Sequence, residues 1–486
     1  MTKAAKDKNS KMVDLINSRY IVMAVLAMFL IIIALAYNSW GLDRDEFPGA
    51  ESNYNLRLAE SLKENDWDID ELREDTEDNY SADENRRGMN LGIILLSFLI
   101  DNTLLIKLLN VLLVGLVIFL AHTFMKINHM TKFESNCTLI LIISSPAIIF
   151  FSLVVSPVVI YSLLLLTAGI ALKRDMRLIG IMASVLMPFF GIPHAVIFMM
   201  VAMIYLKAIE KFDKIYYVLI PTLVSGIIIE YLWIHFSVFN VFFYSLAGIL
   251  NRTIAEFGSM YGIGIMTIVL SMIGFVMTFV ERRQQIYQLA LLITIGSIIF
   301  VDYRLIFLLN LMLSAYGAHG FSALVKRRWY SEDLKKLTIL VIICGLLFTQ
   351  LSYFPRITEI EPTREKTEAL RWLEGQEDGI VLTTQGFSPF IQKLADKPTV
   401  LNHFTINPQK MEDIKEMFSS RNLTRTRDLM NNYDIEYIYL DDDIEKKIWL
   451  HSEDGLLFLF RDQHTFHKIY EGESGTRIYR FLHQFP

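Results

Sequence analysis

The sequence predicts an α-helical polytopic membrane protein, with about eleven spans, that ends in a small C-terminal α/β domain. Three observations carry that prediction. Apolar runs of span length recur between residues 20 and 354, basic residues fall on every second connection between them, and the composition turns polar after residue 354. A hydrophobic content of 53% with a mean hydropathy of +0.37 is too apolar for a soluble chain, yet 20% charged residues are too many for spans alone.

The first run covers residues 20–37 behind Lys3, Lys6, Lys8 and Lys11. It is long for a signal-peptide core and lacks a small-residue cleavage site, so it reads as a retained span. Further runs cover residues 103–125, 137–151, 158–172, 178–190, 195–206, 215–235, 261–280, 286–301, 305–324 and 337–354. Orientation follows from the basic residues. Lys126 and Lys132, Lys173 to Arg177, Lys207 to Lys214, Arg282 with Arg283, and Lys326 to Lys336 occupy alternate connections, which are expected to be cytoplasmic. Residues 1–19 then form a cytoplasmic N-terminus, residues 20–354 a membrane domain, and residues 355–486 an extracytoplasmic domain. An external acidic loop, 41–102, belongs to the membrane domain in this scheme. Within it, Tyr54, Leu58, Ala59 and Leu62 at helical spacing predict a short amphipathic helix, and residues 89–100 an interfacial one.

In the last domain, helices are expected at 365–374, 390–395, 409–418 and 423–432. Strands are expected at 379–384, 398–401, 435–441, 456–460, 467–471 and 477–481. Alternation of the two implies a small α/β fold. The net charge of -6 gives no basic surface for nucleic acid, and no nucleotide-binding glycine motif is visible. Cys137 and Cys344 both lie in apolar runs, so they read as small hydrophobes. His464 and His467 lack a further nearby ligand, so no metal site is expected there.

The order of parts, together with several short motifs, resembles the GT-C superfamily of membrane glycosyltransferases. GAESNYNLRLAESL at residues 49–62 is similar to the first-loop motif of the oligosaccharyltransferase catalytic subunit, with Glu51, Tyr54, Asn55 and Arg57 at the matching offsets. DYRLIFLLNLMLSAYGAHG at 302–320 resembles a late span that opens with an arginine, here Arg304. IVLTTQGFSPFIQKLADKPTV at 380–400 and SSRNLTRTRDLMNNYDIEYIYLD at 419–441 are similar in pattern to elements of that family's soluble domain. The WWDYG signature is replaced by Thr384, Gln385, Gly386, Phe387 and Ser388, and FSLVVSPVVIYS at 151–162 offers Ser152 and Ser156 where a second acid is expected. The resemblance therefore points to the metal-independent branch.

What it implies is an inverting glycosyltransferase of the cell envelope, acting outside the cytoplasm. The donor would be a polyprenyl-phosphate-linked sugar and the acceptor a glycan, lipid or protein, as in protein glycosylation. Glu51 is the candidate base, with Asp45 and Glu46 as alternatives. Arg304, Arg57 and His194 are the candidate ligands of the donor phosphate. No cofactor is required by these residues, although a divalent ion, Mg²⁺ or Mn²⁺, is compatible with the family. A catalytically silent binding or assembly subunit is the second reading and a transporter the third, the latter disfavoured because no repeat is seen and Glu230 and Asp302 lie near span ends.

Overall fold

The computed structural model describes residues 20–40, 46–64, 91–233, 253–278, 288, 291–296, 303–402, 407–449, 451, 454–472 and 475–482. Residues 1–19, Asp45, the acidic cluster after residue 65 and most of the run 286–301 lie outside the described residues. In chain order the elements are α1 (Tyr20–Trp40), α2 (Ala50–Glu64), α3 (Leu91–Ser97), α4 (Thr103–Ile127), α5 (Lys132–Ile143), α6 (Pro146–Leu153), α7 (Pro157–Lys173), α8 (Arg177–Leu186), α9 (Ile192–Ala208) and α10 (Tyr216–Trp233). They continue with α11 (Ile265–Thr278), α12 (Ile306–Lys326), α13 (Glu332–Ile357), α14 (Arg364–Glu374), β1 (Ile380–Leu382), α15 (Ser388–Leu394), α16 (Pro408–Ser419), α17 (Leu423–Asn432) and β2 (Ile435–Leu440). The chain ends through α18 (Asp442–Ile448), α19 (Gly455–Leu459), β3 (Phe466–Glu471) and β4 (Arg477–Phe481).

Contacts divide the chain into two compact units, Met1–Arg44 with Leu104–Thr358, and Asp45–Thr103 with Glu359–Pro486. Chain order alone places residues 41–102 with the spans; among the described residues, α2 and α3 cluster instead with Glu359–Pro486.

In the first unit, α1, α4, α12 and α13 are each long and apolar enough to cross a membrane. The bent pair α5 and α6, turned by 58°, adds one more by the same test. The bend follows from sequence: Ser144, Ser145 and Pro146 interrupt the run, and Pro146 takes the first helical position, where its missing N–H costs nothing. Shorter apolar helices follow at Pro157–Lys173, Arg177–Phe190, His194–Ala208 and Ile265–Thr278. The expected eleven spans are thus not all met by described helices of full length. The run at 178–190 illustrates why, since Pro188 turns its end into a single 3₁₀ turn, Met187–Phe190.

In the second unit, β1 pairs parallel with β2, and β4 lies antiparallel between β2 and β3, giving the order β1-β2-β4-β3. Its strand residues Val381, Leu382, Ile438, Leu440 and Ile478 are fully buried. The helices expected at 365–374, 409–418 and 423–432 form, with ends within a residue or so. Residues 456–460, expected to be a strand, instead form helix α19. The reason is spacing: Leu456, Leu459 and Phe460 turn inward while Phe458 is exposed, which is a helical and not an alternating pattern. Gly455, at φ +50, makes the left-handed turn that starts it. Helix α2 packs on α15, and α3 closes over Tyr54, Leu58 and Leu62.

Candidate active site

Glu51 stands in the first turn of α2 and is 8% exposed. The positive end of the helix dipole favours its carboxylate there. The turn before it is held on several sides. Gly49 takes φ +84, its N–H donates to Glu361 O at 2.7 Å, and Asn53 Nδ2 donates to Phe47 O at 2.8 Å and Gly49 O at 2.9 Å. A residue with a side chain at Gly49 would be strained in that backbone conformation. The acid is therefore placed by a rigid loop tied to the linker at Glu361.

The alternatives are placed differently. Glu46 is buried and accepts from Arg371 Nη2 at 2.7 Å, so its carboxylate is engaged in an ion pair. Asp45 lies outside the described residues. Arg57 sits two turns along α2, with Nη2 2.9 Å from Asp396 Oδ1, and Lys393 Nζ reaches Glu60 Oε1 at 2.5 Å beside it.

In the spanning unit, Arg304 lies half-buried in the 3₁₀ turn Tyr303–Leu305 that opens α12. His194, in the first turn of α9, stacks on Tyr161 with ring centroids 4.1 Å apart, and Tyr161 OH donates to Phe190 O. Leu305, next to Arg304, joins His194, Tyr161 and Ser162 in lining a small cavity of about 20 Å³. Two of the expected phosphate ligands, Arg304 and His194, are thereby brought to the same end of the helix bundle. Leu165, Val201 and Leu308 line both this cavity and a second one of about 240 Å³.

Residues that stand where the WWDYG signature is expected form a closed turn. Phe387 N and Ser388 N donate to Thr384 O, and the Phe387 ring is buried against Tyr439 at 4.5 Å. Lys366 Nζ lies 5.6 Å from the same ring and is enclosed by Glu361, Asp441 and Asp443 at 2.8, 3.0 and 2.9 Å. Burial alone lowers the ammonium pKa, but the charges and hydrogen bonds of the three carboxylates outweigh it and the net shift is upward.

Sequence reasoning did not single out several polar groups inside the spanning unit. Lys107 is 4% exposed in α4, and one turn on Asn110 Nδ2 donates to Phe151 O, Ser152 O and Val154 O at 3.0 to 3.1 Å. Glu256 accepts from Ile265 N at 3.0 Å and from Thr349 Oγ1 at 2.5 Å, capping α11. Glu134 accepts from Thr131 N at 3.0 Å and lies 3.1 Å from His319 Nδ1. The available signal was an ionisable residue inside or at the edge of an apolar run. Among the described residues, no three His, Cys, Asp or Glu side chains lie together in a way that could hold a metal.

No known family profile matches the chain, and no curated protein matches it. Solved structures do. The apo oligosaccharyltransferase of Archaeoglobus fulgidus superposes with a TM-score of 0.59 at 11% identity, over 96% of this chain and 75% of that one. The A. fulgidus oligosaccharyltransferase AglB, in complex with an inhibitory peptide and a dolichol-phosphate, gives 0.55 at 10% identity over 96% and 75%. Arabinofuranosyltransferase AftD from Mycobacteria, as the R1389S mutant, gives 0.53 at 14% over 96% of this chain and 42% of its own length. Two glycosyltransferases of different kinds thus share their fold with nearly the whole of this chain.

Proposed function

We propose that the protein is an extracytoplasmic glycosyltransferase that moves a sugar from a polyprenyl-phosphate-linked donor to a glycan, lipid or protein acceptor. The observation that carries this reading is the fold shared over 96% of the chain with an oligosaccharyltransferase and an arabinofuranosyltransferase. The complex of AglB with a dolichol-phosphate supports a lipid-linked donor. The reading assigns three tasks to this chain's residues: a base for the acceptor hydroxyl, cations for the leaving phosphate, and an apolar surface for the carrier.

Glu51 takes the first task and inversion at the anomeric centre follows from a single displacement. Arg304 takes the second, through the bidentate hydrogen bonds that a guanidinium makes with phosphate oxygens, with His194 at the same bundle end as an additional donor. Arg57 is the remaining candidate cation. No metal-dependent step is assigned, because Ser152 and Ser156 stand where a second carboxylate is expected. The test uses the purified full chain, a synthetic polyprenyl-phosphate sugar and a panel of acceptors, with and without a chelator. Release of polyprenyl phosphate coupled to a glycosylated product, unaffected by the chelator, is expected. Donor binding without turnover on any acceptor would favour a silent subunit.

A further inference from the structure

We propose that the larger cavity of the spanning unit binds an anionic phospholipid, with an acyl chain inside it and the phosphate at His319 and Lys326. The cavity, about 240 Å³, lies among α4, α7, α9 and α12. Its middle is apolar, lined by Leu165, Leu308, Leu311 and Met312. Polar side chains gather toward one end, where Asn128, Tyr205, Tyr316 and His319 face it. Tyr205 OH donates to Asn128 Oδ1 at 3.2 Å across that end.

All four bordering helices finish at this mouth, and each carries a lysine in its last turn: Lys126, Lys173, Lys207 and Lys326. Glu134 is the acid that faces the group. It is held by a capping box with Thr131, lies 3.1 Å from His319 Nδ1, and is 3.9 Å from Lys326 Nζ. The carboxylate fixes the imidazole ring at the mouth. Asp175, paired with Lys211 and Lys214, and Glu210 also sit on the connections at this end, but lysines and arginines outnumber the acids there and leave the mouth positive beside an apolar hole. An amphiphile with a negative head and a hydrocarbon chain matches both features, and the polar ring at the mouth sets the depth at which its head stops.

This site is distinct from that proposed for the donor phosphate. Ile306, which follows Leu305 and opens α12, and His319 are thirteen residues apart, about 20 Å of helix rise. The basic connections border the membrane at the His319 end, so the lipid comes from the leaflet on that side.

The experiment takes the purified, delipidated full chain in neutral detergent and measures retained ligand by native mass spectrometry alongside thermal melting. The probes are phosphatidylglycerol, phosphatidylcholine, inorganic phosphate and a polyprenyl phosphate. Saturable binding of phosphatidylglycerol with a rise in melting temperature is expected, and neither phosphatidylcholine nor inorganic phosphate should reproduce it. Ala315 lines the cavity, so Ala315→Phe should abolish the response. The Lys326 side chain is 62% exposed, so Lys326→Gln leaves packing intact and should weaken binding about fivefold. An equal response to phosphatidylcholine would overturn the proposal, as would a full response in Ala315→Phe. Displacement of phosphatidylglycerol by polyprenyl phosphate would also overturn it, and would give the cavity to the carrier.

Discussion

Gly274 and Gly320 face each other where α11 crosses α12: a β-carbon on Gly274 would overlap Tyr316 O and stand 2.9 Å from Gly320 N, and one on Gly320 would overlap Leu270 O and stand 2.8 Å from Gly274 N. The two helices therefore touch backbone to backbone. Ser271 Oγ, donating to Leu313 O at 2.6 Å, pins the same contact. Small residues of this kind let helices approach closely where lipid supplies no hydrophobic drive for association.

The first prediction follows. Gly274→Ala and Gly320→Ala should each destabilise the spanning unit by roughly 1–3 kcal/mol or more, because the clash is with backbone that cannot rotate away. Gly226 has nothing within 4 Å of its would-be β-carbon. Gly226→Ala should be neutral or stabilising by up to about 1 kcal/mol. Melting in detergent decides it; equal behaviour of all three variants would show that the contact is not close.

The second concerns Lys366, which is 7% exposed beside Asp441 at 1%. Lys366→Met leaves a buried carboxylate without its cation, and breaking such a pair costs about 3–5 kcal/mol. The pH dependence has a definite sign. The hydrogen bond from Lys366 depresses the pKa of Asp443, so that group contributes stability above its unfolded value and loses it as pH falls through the lowered native one. Lys366, whose pKa is raised, keeps its contribution below the unfolded lysine value and loses it only as pH climbs past that. Asp443 is 55% exposed, so its share is small after solvent screening. Acid titration of wild type against Asp443→Asn should show a slightly shallower loss of stability in the variant below about pH 4. Identical acid limbs would remove Asp443 from the network.

Much of this architecture was legible in the chain. The period of α14, α16 and α17, the β-rich run at β2 and the helical spacing of Tyr54, Leu58 and Leu62 all survive folding because each pattern serves one buried face. Residues 456–460 were misread because five consecutive apolar residues carry no period of their own; only Gly455 and the inward set of Leu456, Leu459 and Phe460 decide the outcome. The grouping of α2 with the C-terminal domain could not be read at all. It depends on Arg57 with Asp396, Glu60 with Lys393, and Glu46 with Arg371, pairs more than three hundred residues apart. Of the candidate site, Glu51 at a helix start was visible, and so was Arg304 at the head of a span. The engagement of Glu46 by Arg371 was not, since no local signal links a loop acid to one arginine among many.

A third prediction addresses the donor. If Arg304 clamps the carrier phosphate, Arg304→Ala should raise the KM for the lipid donor at least tenfold, and Arg304→Lys should recover part of the loss, because an ammonium supplies the charge without the bidentate fork. Arg57 is separable from it. Its pair with Asp396 is exposed on both sides, so Asp396→Asn should shift stability by less than about 1 kcal/mol. If Arg57 also touches the phosphate, Arg57→Gln should change donor KM where Asp396→Asn does not. Unchanged donor binding in folded Arg304→Ala protein would remove Arg304 from the site.

The last prediction concerns Glu51. An acceptor hydroxyl is a poor nucleophile at neutral pH, and a positioned carboxylate that accepts its proton as the new bond forms contributes roughly 10²- to 10⁴-fold. Glu51 fits that demand in its placement, in the first turn of α2 behind a loop fixed by Gly49 and Asn53. Glu51→Gln keeps the size and much of the hydrogen bonding but removes the basicity. Turnover should therefore fall by about that factor, while melting temperature and donor affinity stay close to wild type. Glu46→Gln provides the contrast: loss of the ion pair with Arg371 should lower stability and leave turnover per folded molecule largely intact. Should Glu46→Gln or Asp45→Asn abolish turnover while Glu51→Gln retains it, the base is one of those acids. If none of the three changes turnover, the acceptor is deprotonated by some other group and the role proposed for this loop is wrong.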